Sequence, residues 1–190
     1  MRRIAVLGST RGTNLMTIVE AIQTKRLHAS IEIVISNNED ALILPRAKGF
    51  GLKTRFVPSC GKSREAYDAE VSTILKQHQV NLIVLIGYMR ILSCDFVRNW
   101  ENKIINVHPS LLPDFAGLMD LSVHEAVIKA GKIETGCTVH YVTERVDAGP
   151  VVLQKRCKVV ATDTPESLKQ RVQQLEGEAL VAAIAQLIIE

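Results

Sequence analysis

Residues 6–22 read VLGSTRGTNLMTIVEAI. An apolar run ends at a turn bearing Gly8 and Gly12, and Leu15, Ile18, Val19 and Ile22 then follow at i, i+3, i+4 and i+7. That spacing gathers the four side chains on one face of a helix. Strand, glycine turn and helix in this order open a βα unit, and the chain goes on alternating. IEIVIS (31–36) is a second strand, and a short helical stretch follows near ALILPRAKGF (41–50). KTRFV (53–57) is a third strand, and Tyr67, Val71, Ile74 and Leu75 mark another helix. NLIVLIG (81–87) is an unbroken apolar strand, the pattern of a strand buried on both faces, and KIINVH (103–108) makes a fifth. Such alternation implies right-handed crossovers and a parallel sheet.

The second half changes character. TGCTVHYVT (135–143) alternates, and GPVVLQKRCKVV (149–160) carries a further strand. The link between them is too short for a crossover, so the two form an antiparallel pair. Thr164 then reads as an N-cap with Pro165 at the first helical position, and Leu168, Val172, Leu175 and Ala179 carry the helix toward the C-terminus. The expected fold class is α/β: one compact unit with an open twisted sheet, mostly parallel, and an antiparallel hairpin in its C-terminal half.

A chain of 190 residues with 47% apolar and 23% charged residues buries a proper core, and its net charge of +3 is too mild to announce nucleic acid or a membrane surface. The apolar run after Met1 is too short for a signal peptide, and VNLIVLIGYMRIL (80–92) and ALVAAIAQLII (179–189) fall short of a span of about 20 residues. A cytoplasmic protein is expected, with monomer and homodimer both open. Cys60, Cys94, Cys137 and Cys157 lack zinc spacing and are expected as reduced residues in or near apolar packing; no metal is expected.

The first turn, Gly8 to Asn14, admits two readings. A helix N-terminus with free N–H donors suits a phosphate, with Ser9, Thr10, Thr13 and Asn14 as additional donors; equally, it is a tight βα turn with a Thr or Asn cap. It is no Walker loop, since Thr13 and Asn14 stand where Gly and Lys are needed. It is no dinucleotide fingerprint either, since a third glycine is missing and the second strand ends in Ser36-Asn37-Asn38 rather than at an acid.

In INVHPSLLPDFAG (105–117), Asn106 and His108 stand two apart, so a strand turns both to one face at its carboxyl end, where open α/β sheets bind ligands. An amide donor beside an imidazole suits acyl transfer, because both stabilise a carbonyl oxygen as it gains charge and the imidazole also moves a proton. The plainer alternative is a strand-end histidine bonded to backbone. Asp147 in RVDAGP (145–150) is a third candidate that would favour the imidazolium, although Asp before Gly-Pro is also ordinary turn chemistry. No serine or cysteine sits in a nucleophile's surroundings, and His28, His78, His124 and His140 read as surface, capping or core residues.

Taken together, GSTRGTNL (8–15), SREAYD (63–68), GYMRILS (87–93), NVHPSLLPDFAGL (106–118), TGCTVHYVTERVDAGPVVLQ (135–154) and RVQQLE (171–176) resemble the folate-dependent glycinamide ribonucleotide formyltransferases of purine synthesis over nearly the whole chain. The resemblance implies a Rossmann-like formyltransferase fold in a single domain, 1–190, with a mononucleotide-binding half (1–100) and a catalytic and folate-binding half (101–190). It implies transfer of the formyl group of 10-formyltetrahydrofolate, a cosubstrate, to glycinamide ribonucleotide, with Asn106, His108 and Asp147 as catalytic residues. It also implies a ribonucleotide site at Gly12, Thr13, Asn14, Leu15, Gln173 and Glu176. The folate pocket would be lined by Arg64, Met89, Arg90, Ile91, Leu92, Asn106 and the stretch Thr143, Glu144, Arg145, Val146, Asp147.

Three positions depart from the family pattern: Thr10 for a frequent glycine, Cys94 for a frequent proline, and a longer stretch at Met119 to Ser122. A methionyl-tRNA formyltransferase would be expected to carry a further RNA-binding domain, and a formyl-folate hydrolase an extra N-terminal one. A non-catalytic phosphate- or nucleotide-binding protein would leave the second half unexplained.

Overall fold

The computed structural model describes residues 1–189. Seven strands form one sheet: β1 (Arg2–Leu7), β2 (Ala29–Ser36), β3 (Thr54–Phe56), β4 (Leu82–Leu85), β5 (Ile104–His108), β6 (Glu134–Tyr141) and β7 (Val151–Lys158). Six helices join them: α1 (Thr13–Gln23), α2 (Ile43–Gly49), α3 (Arg64–Gln77), α4 (Cys94–Asn99), α5 (Leu121–Lys129) and α6 (Pro165–Ile189). The strand order is β3-β2-β1-β4-β5-β6-β7, parallel through β5 and antiparallel from β5 to β7. The expected α/β class, parallel core and late antiparallel hairpin are all present.

Pleating divides the core in two, because successive side chains of a strand face opposite ways. On β1, Ile4 and Val6 join one cluster with Leu15 and Ile18 of α1 and Val172, Leu180 and Ile184 of α6. Ala5 and Leu7 join the other, with Tyr67, Val71 and Leu75 of α3 and Phe96 and Trp100 at α4. Every residue of β4 is buried, which is why NLIVLIG shows no alternation.

The order reverses between β1 and β4, so the chain leaves their carboxyl ends in opposite directions and opens a crevice there. Three connections meet at that edge: residues 8–12 after β1, 86–93 after β4 and 109–120 after β5.

Thr164 accepts from Ser167 N (3.2 Å) while Ser167 Oγ accepts from Thr164 N (3.0 Å), a reciprocal cap that starts α6 as expected. Two elements were not anticipated. Helix α4 is six residues long and α5 nine, too short for a clear periodic signal, although Ser93 caps α4 through Phe96 N (3.3 Å). The expected cysteine environment needs correcting as well: Cys60 and Cys94 are exposed, Cys94 because it occupies the first turn of α4, whereas Cys137 is buried and Cys157 half-buried. Among the described residues no helix is long and apolar enough to cross a membrane.

Candidate active site

Asn106 and His108 lie on β5, and β6 runs antiparallel beside them with His140 opposite Asn106 and Thr138 opposite His108. Asp147 sits in the connection from β6 to β7 at φ 51°, a left-handed conformation that aspartate tolerates better than most residues. Its carboxylate reaches back over the end of the sheet. Oδ2 lies 3.3 Å from His108 Nδ1 and accepts the Gly117 N–H at 2.9 Å, while Oδ1 lies 3.6 Å from His140 Nε2. Asn106 Nδ2 is 3.3 Å from His140 Nε2. An amide, two imidazoles and a carboxylate therefore share one corner at the carboxyl end of β5.

His108 is only 3% exposed, and its Nε2 lies 3.2 Å from the Phe115 carbonyl. Burial pushes its pKa below that of an ordinary histidine, against the opposing pull of Asp147 and the Phe115 carbonyl. A carbonyl accepts and a carboxylate accepts, so both ring nitrogens face partners that suit an imidazolium. For Asp147, burial alone would raise the carboxyl, yet the Gly117 N–H and the His108 charge hold it below the usual range. The ion is thus kept where it can support a proton on His108.

The segment 109–120 sets both groups, because it supplies Phe115 C=O and Gly117 N–H. It is braced from below: Thr138 Oγ1 donates to Ser110 C=O (2.7 Å) and accepts from Leu112 N (3.0 Å), and Gln154 Nε2 donates to Leu112 C=O (3.0 Å). Its far end is tied by an ion pair between Asp120 and Lys169 of α6. His140, read from the sequence as a surface, capping or core residue, is buried against Asn106 and Asp147 instead, and Phe115 and Gly117 drew no notice, because all three act through neighbours that only the fold supplies. The alternation of TGCTVHYVT, read against a neighbouring strand, was the one signal that could have drawn His140 in.

At the first turn, Gly12 has φ 64°, and a Cβ there would run into Ile43 of α2, so a side chain is excluded twice over. The residues named for this site divide by what they offer. Thr13 and Asn14 open α1, whose first N–H groups have no partner within the helix. Leu15 is wholly buried and its N–H bonds the Gly12 carbonyl (3.1 Å), so it anchors the turn from beneath. Asn14 Nδ2 donates to Glu176 Oε2 at 2.7 Å, and a groove between α1 and α6 is lined by Thr13, Asn14, Thr17, Gln170, Gln173 and Gln174. Burial pushes the Glu176 carboxyl up to about 7. The Ser9 hydroxyl, expected as a phosphate donor, is instead used internally: it donates to Asn37 Oδ1 (2.6 Å) and accepts from Met89 N (2.9 Å), tying the first turn to the segment after β4. Thr10 packs against Gly87, whose φ of 55° disfavours any side chain and where a Cβ would meet Thr10 Oγ1.

That segment presents Met89 and Ile91 to solvent, with Leu92 half-buried behind them. The Arg90 guanidinium stacks 4.2 Å over the Tyr67 ring, and its Nε is buried with no hydrogen-bond partner. Arg64 is exposed at the start of α3, one turn before Tyr67. Thr143 to Val146 are exposed, Glu144 is paired with Arg98 at 2.8 Å, and Thr143 Oγ1 donates to the Arg145 carbonyl at 3.1 Å. Among the described residues no three His, Cys, Asp or Glu side chains are grouped as a metal site.

Residues 2–184 match the model of the formyl transferase family. The phosphoribosylglycinamide formyltransferase of Escherichia coli (strain K12) is 39% identical over 174 residues, 91% of this chain and 81% of that protein. The trifunctional purine biosynthetic protein adenosine-3 of Drosophila melanogaster is 40% identical over 190 residues, and the chain spans only 14% of that protein's length. The crystal structure of glycinamide ribonucleotide transformylase 1 from Symbiobacterium toebii superposes with a TM-score of 0.92 at 37% identity, covering 97% of this chain and 86% of that one. The chain therefore belongs to the formyl transferase family, among its phosphoribosylglycinamide formyltransferases.

Proposed function

We propose that this protein transfers the formyl group of 10-formyltetrahydrofolate to the primary amine of glycinamide ribonucleotide, a step of de novo purine biosynthesis in the cytoplasm. The observation that carries the proposal is the approach of the Asp147 carboxylate to within 3.3 Å of His108, beside Asn106, at the carboxyl end of β5. The amine attacks the formyl carbon directly. A C–N bond to the acceptor forms, the carbon passes through a tetrahedral intermediate, and its bond to the folate nitrogen breaks. The proton shed by the amine is returned to that leaving nitrogen. Asn106 and protonated His108 stabilise the oxyanion, and Asp147 supports the charge on His108 and assists the proton transfer. No side chain is acylated.

The residues present fit a folate. Met89, Ile91 and Val146 are exposed apolar walls for a flat ring, main chain from Thr143 to Asp147 can read its polar edge, and Arg90 offers an unused donor. Arg64 extends that surface along α3. In this proposal the phosphate of the ribonucleotide is held at the N–H groups of Gly12, Thr13 and Asn14 over the anchor Leu15, with Gln173 and Glu176 toward its ribose and glycinamide end. Every group named comes from one chain, and 1–190 act as one domain, with the phosphate turn in 1–100 and the trio in 101–190.

A spectrophotometric assay with formyl-folate, offering glycinamide ribonucleotide and initiator Met-tRNA in turn, tests the proposal. Turnover is expected with the ribonucleotide alone. Turnover with the tRNA alone would move the acceptor, and binding of the ribonucleotide without any folate-dependent turnover would leave a binding protein.

A further inference from the structure

His140 is 2% exposed, and its two ring nitrogens have unlike partners. Nδ1 lies 2.9 Å from the carbonyl oxygen of Tyr141. A carbonyl only accepts, so Nδ1 carries the hydrogen, and in the neutral ring Nε2 is a lone pair. The donor that meets this lone pair is Asn106 Nδ2, at 3.3 Å. The Asn106 amide is thereby fixed with its nitrogen toward β6, since a flip would set Oδ1 against the Nε2 lone pair, acceptor against acceptor. One N–H of that nitrogen is engaged by His140 and the other remains for a ligand. Asp147 and His108 are the titratable groups facing this ring, Asp147 from the β6–β7 connection and His108 from β5. A proton on Nε2 would remove the acceptor that Asn106 uses and redirect the ring to Asp147 Oδ1 at 3.6 Å.

We propose that His140 is a positioning residue of the formyl-transfer site: held as the Nδ1–H tautomer by the Tyr141 carbonyl, it orients the Asn106 amide so that its free N–H is aimed at the developing oxyanion. The inference rests on the formyl-transfer proposal above and deepens it, because it explains how the trio's amide is held. An amide that rotates freely spends its donor on other partners and loses the preorganisation that makes an oxyanion donor effective.

Two measurements test it. In the intact protein with 15N-labelled histidine, the ring shifts of the neutral His140 side chain should report the Nδ1–H tautomer; the opposite tautomer would overturn the proposal whether or not any variant folds. Kinetically, His140→Leu removes the acceptor, whereas His140→Gln restores an amide oxygen that can accept from Asn106. His140→Leu should lower kcat by about 10- to 100-fold, less than the ~10²–10³ of deleting an oxyanion donor outright, with both KM values within about threefold of the parent. His140→Gln should recover most of that loss. Equal loss in both variants, or loss in KM alone, would mean a packing role only. A parent protein that transfers formyl groups alongside an equally active His140→Leu would sink this inference and leave the proposed function standing. A parent without transfer to the ribonucleotide would take both down.

Discussion

Asn14 and Glu176, at the start of α1 and in the middle of α6, are joined by a 2.7 Å hydrogen bond across 162 positions of sequence. The bond places a half-buried carboxyl beside the first turn and ties the last helix to the first. Its cost is electrostatic. The Glu176 carboxyl is pushed up to about 7 from an ordinary 4.5, first by burial, with Asn14 and Lys169 opposing. A raised carboxyl contributes its full stability below pH 4.5 and loses it as pH rises through 7.

Glu176→Gln keeps an oxygen for Asn14 and removes the charge. It is expected to raise the unfolding free energy at pH 8 by on the order of 1 kcal/mol, after allowance for partial exposure, and to leave it unchanged at pH 4. Thermal unfolding at the two pH values checks this. A variant less stable than the parent at pH 8 would show that the carboxylate is better satisfied than its surroundings indicate. In the assay the same variant should raise KM for the ribonucleotide, where Glu176 is proposed to bind.

The acid side is governed elsewhere. His124 on α5 is 1% exposed, its Nδ1 is buried without a hydrogen-bond partner, and its pKa is pushed down to about 4 by burial and then by the Lys169 charge. A depressed histidine contributes stability above the unfolded value of about 6.5 that drains away as pH falls toward 4, because the unfolded chain takes up a proton the folded one refuses. The loss attributable to His124 should be on the order of 2 kcal/mol by pH 5. Urea titrations of the parent and His124→Leu at pH 7.5 and 5 check it: the variant should lose distinctly less stability between them.

The first turn should tolerate no side chain at Gly12. Gly12→Ala meets both a left-handed φ of 64° and the body of Ile43. About 1–3 kcal/mol of destabilisation is expected from the backbone alone, and the displaced N-terminus of α1 should raise KM for the ribonucleotide more than KM for the folate. A KM rise confined to the folate would move the phosphate away from this turn.

His108→Ala and Asp147→Asn are expected to cut kcat by about 10² or more while retaining the far-ultraviolet circular dichroism of the parent. Near-parental turnover in both would refute their assigned roles. Asp147→Asn also removes the charge that favours a proton on His108, so the alkaline limb of its residual kcat profile should move to lower pH, the direction in which burial already pushes that imidazole.

Much of this was already legible in the residues. Period 3.6 at Leu15, Ile18, Val19 and Ile22 and the unbroken run in NLIVLIG gave the parallel core, and a period of two put Asn106 and His108 on one face. These are local properties, fixed by backbone geometry within a few residues. The short helices α4 and α5 escaped because six and nine residues leave a periodic pattern too few repeats to stand out.

What the tertiary structure alone decided is which distant groups meet. Asp147 in a turn, His140 on a strand and the main chain of Phe115 and Gly117 become one site because β6 pairs antiparallel with β5 and the following connection folds back over the sheet. Likewise Ser9, a donor on paper, turned out to brace the segment after β4, and Asn14 to hold Glu176. Periodicity carries no information about contacts between segments far apart in the chain; strand order and register supply it, and the electrostatics of each buried group follow from the neighbours they bring.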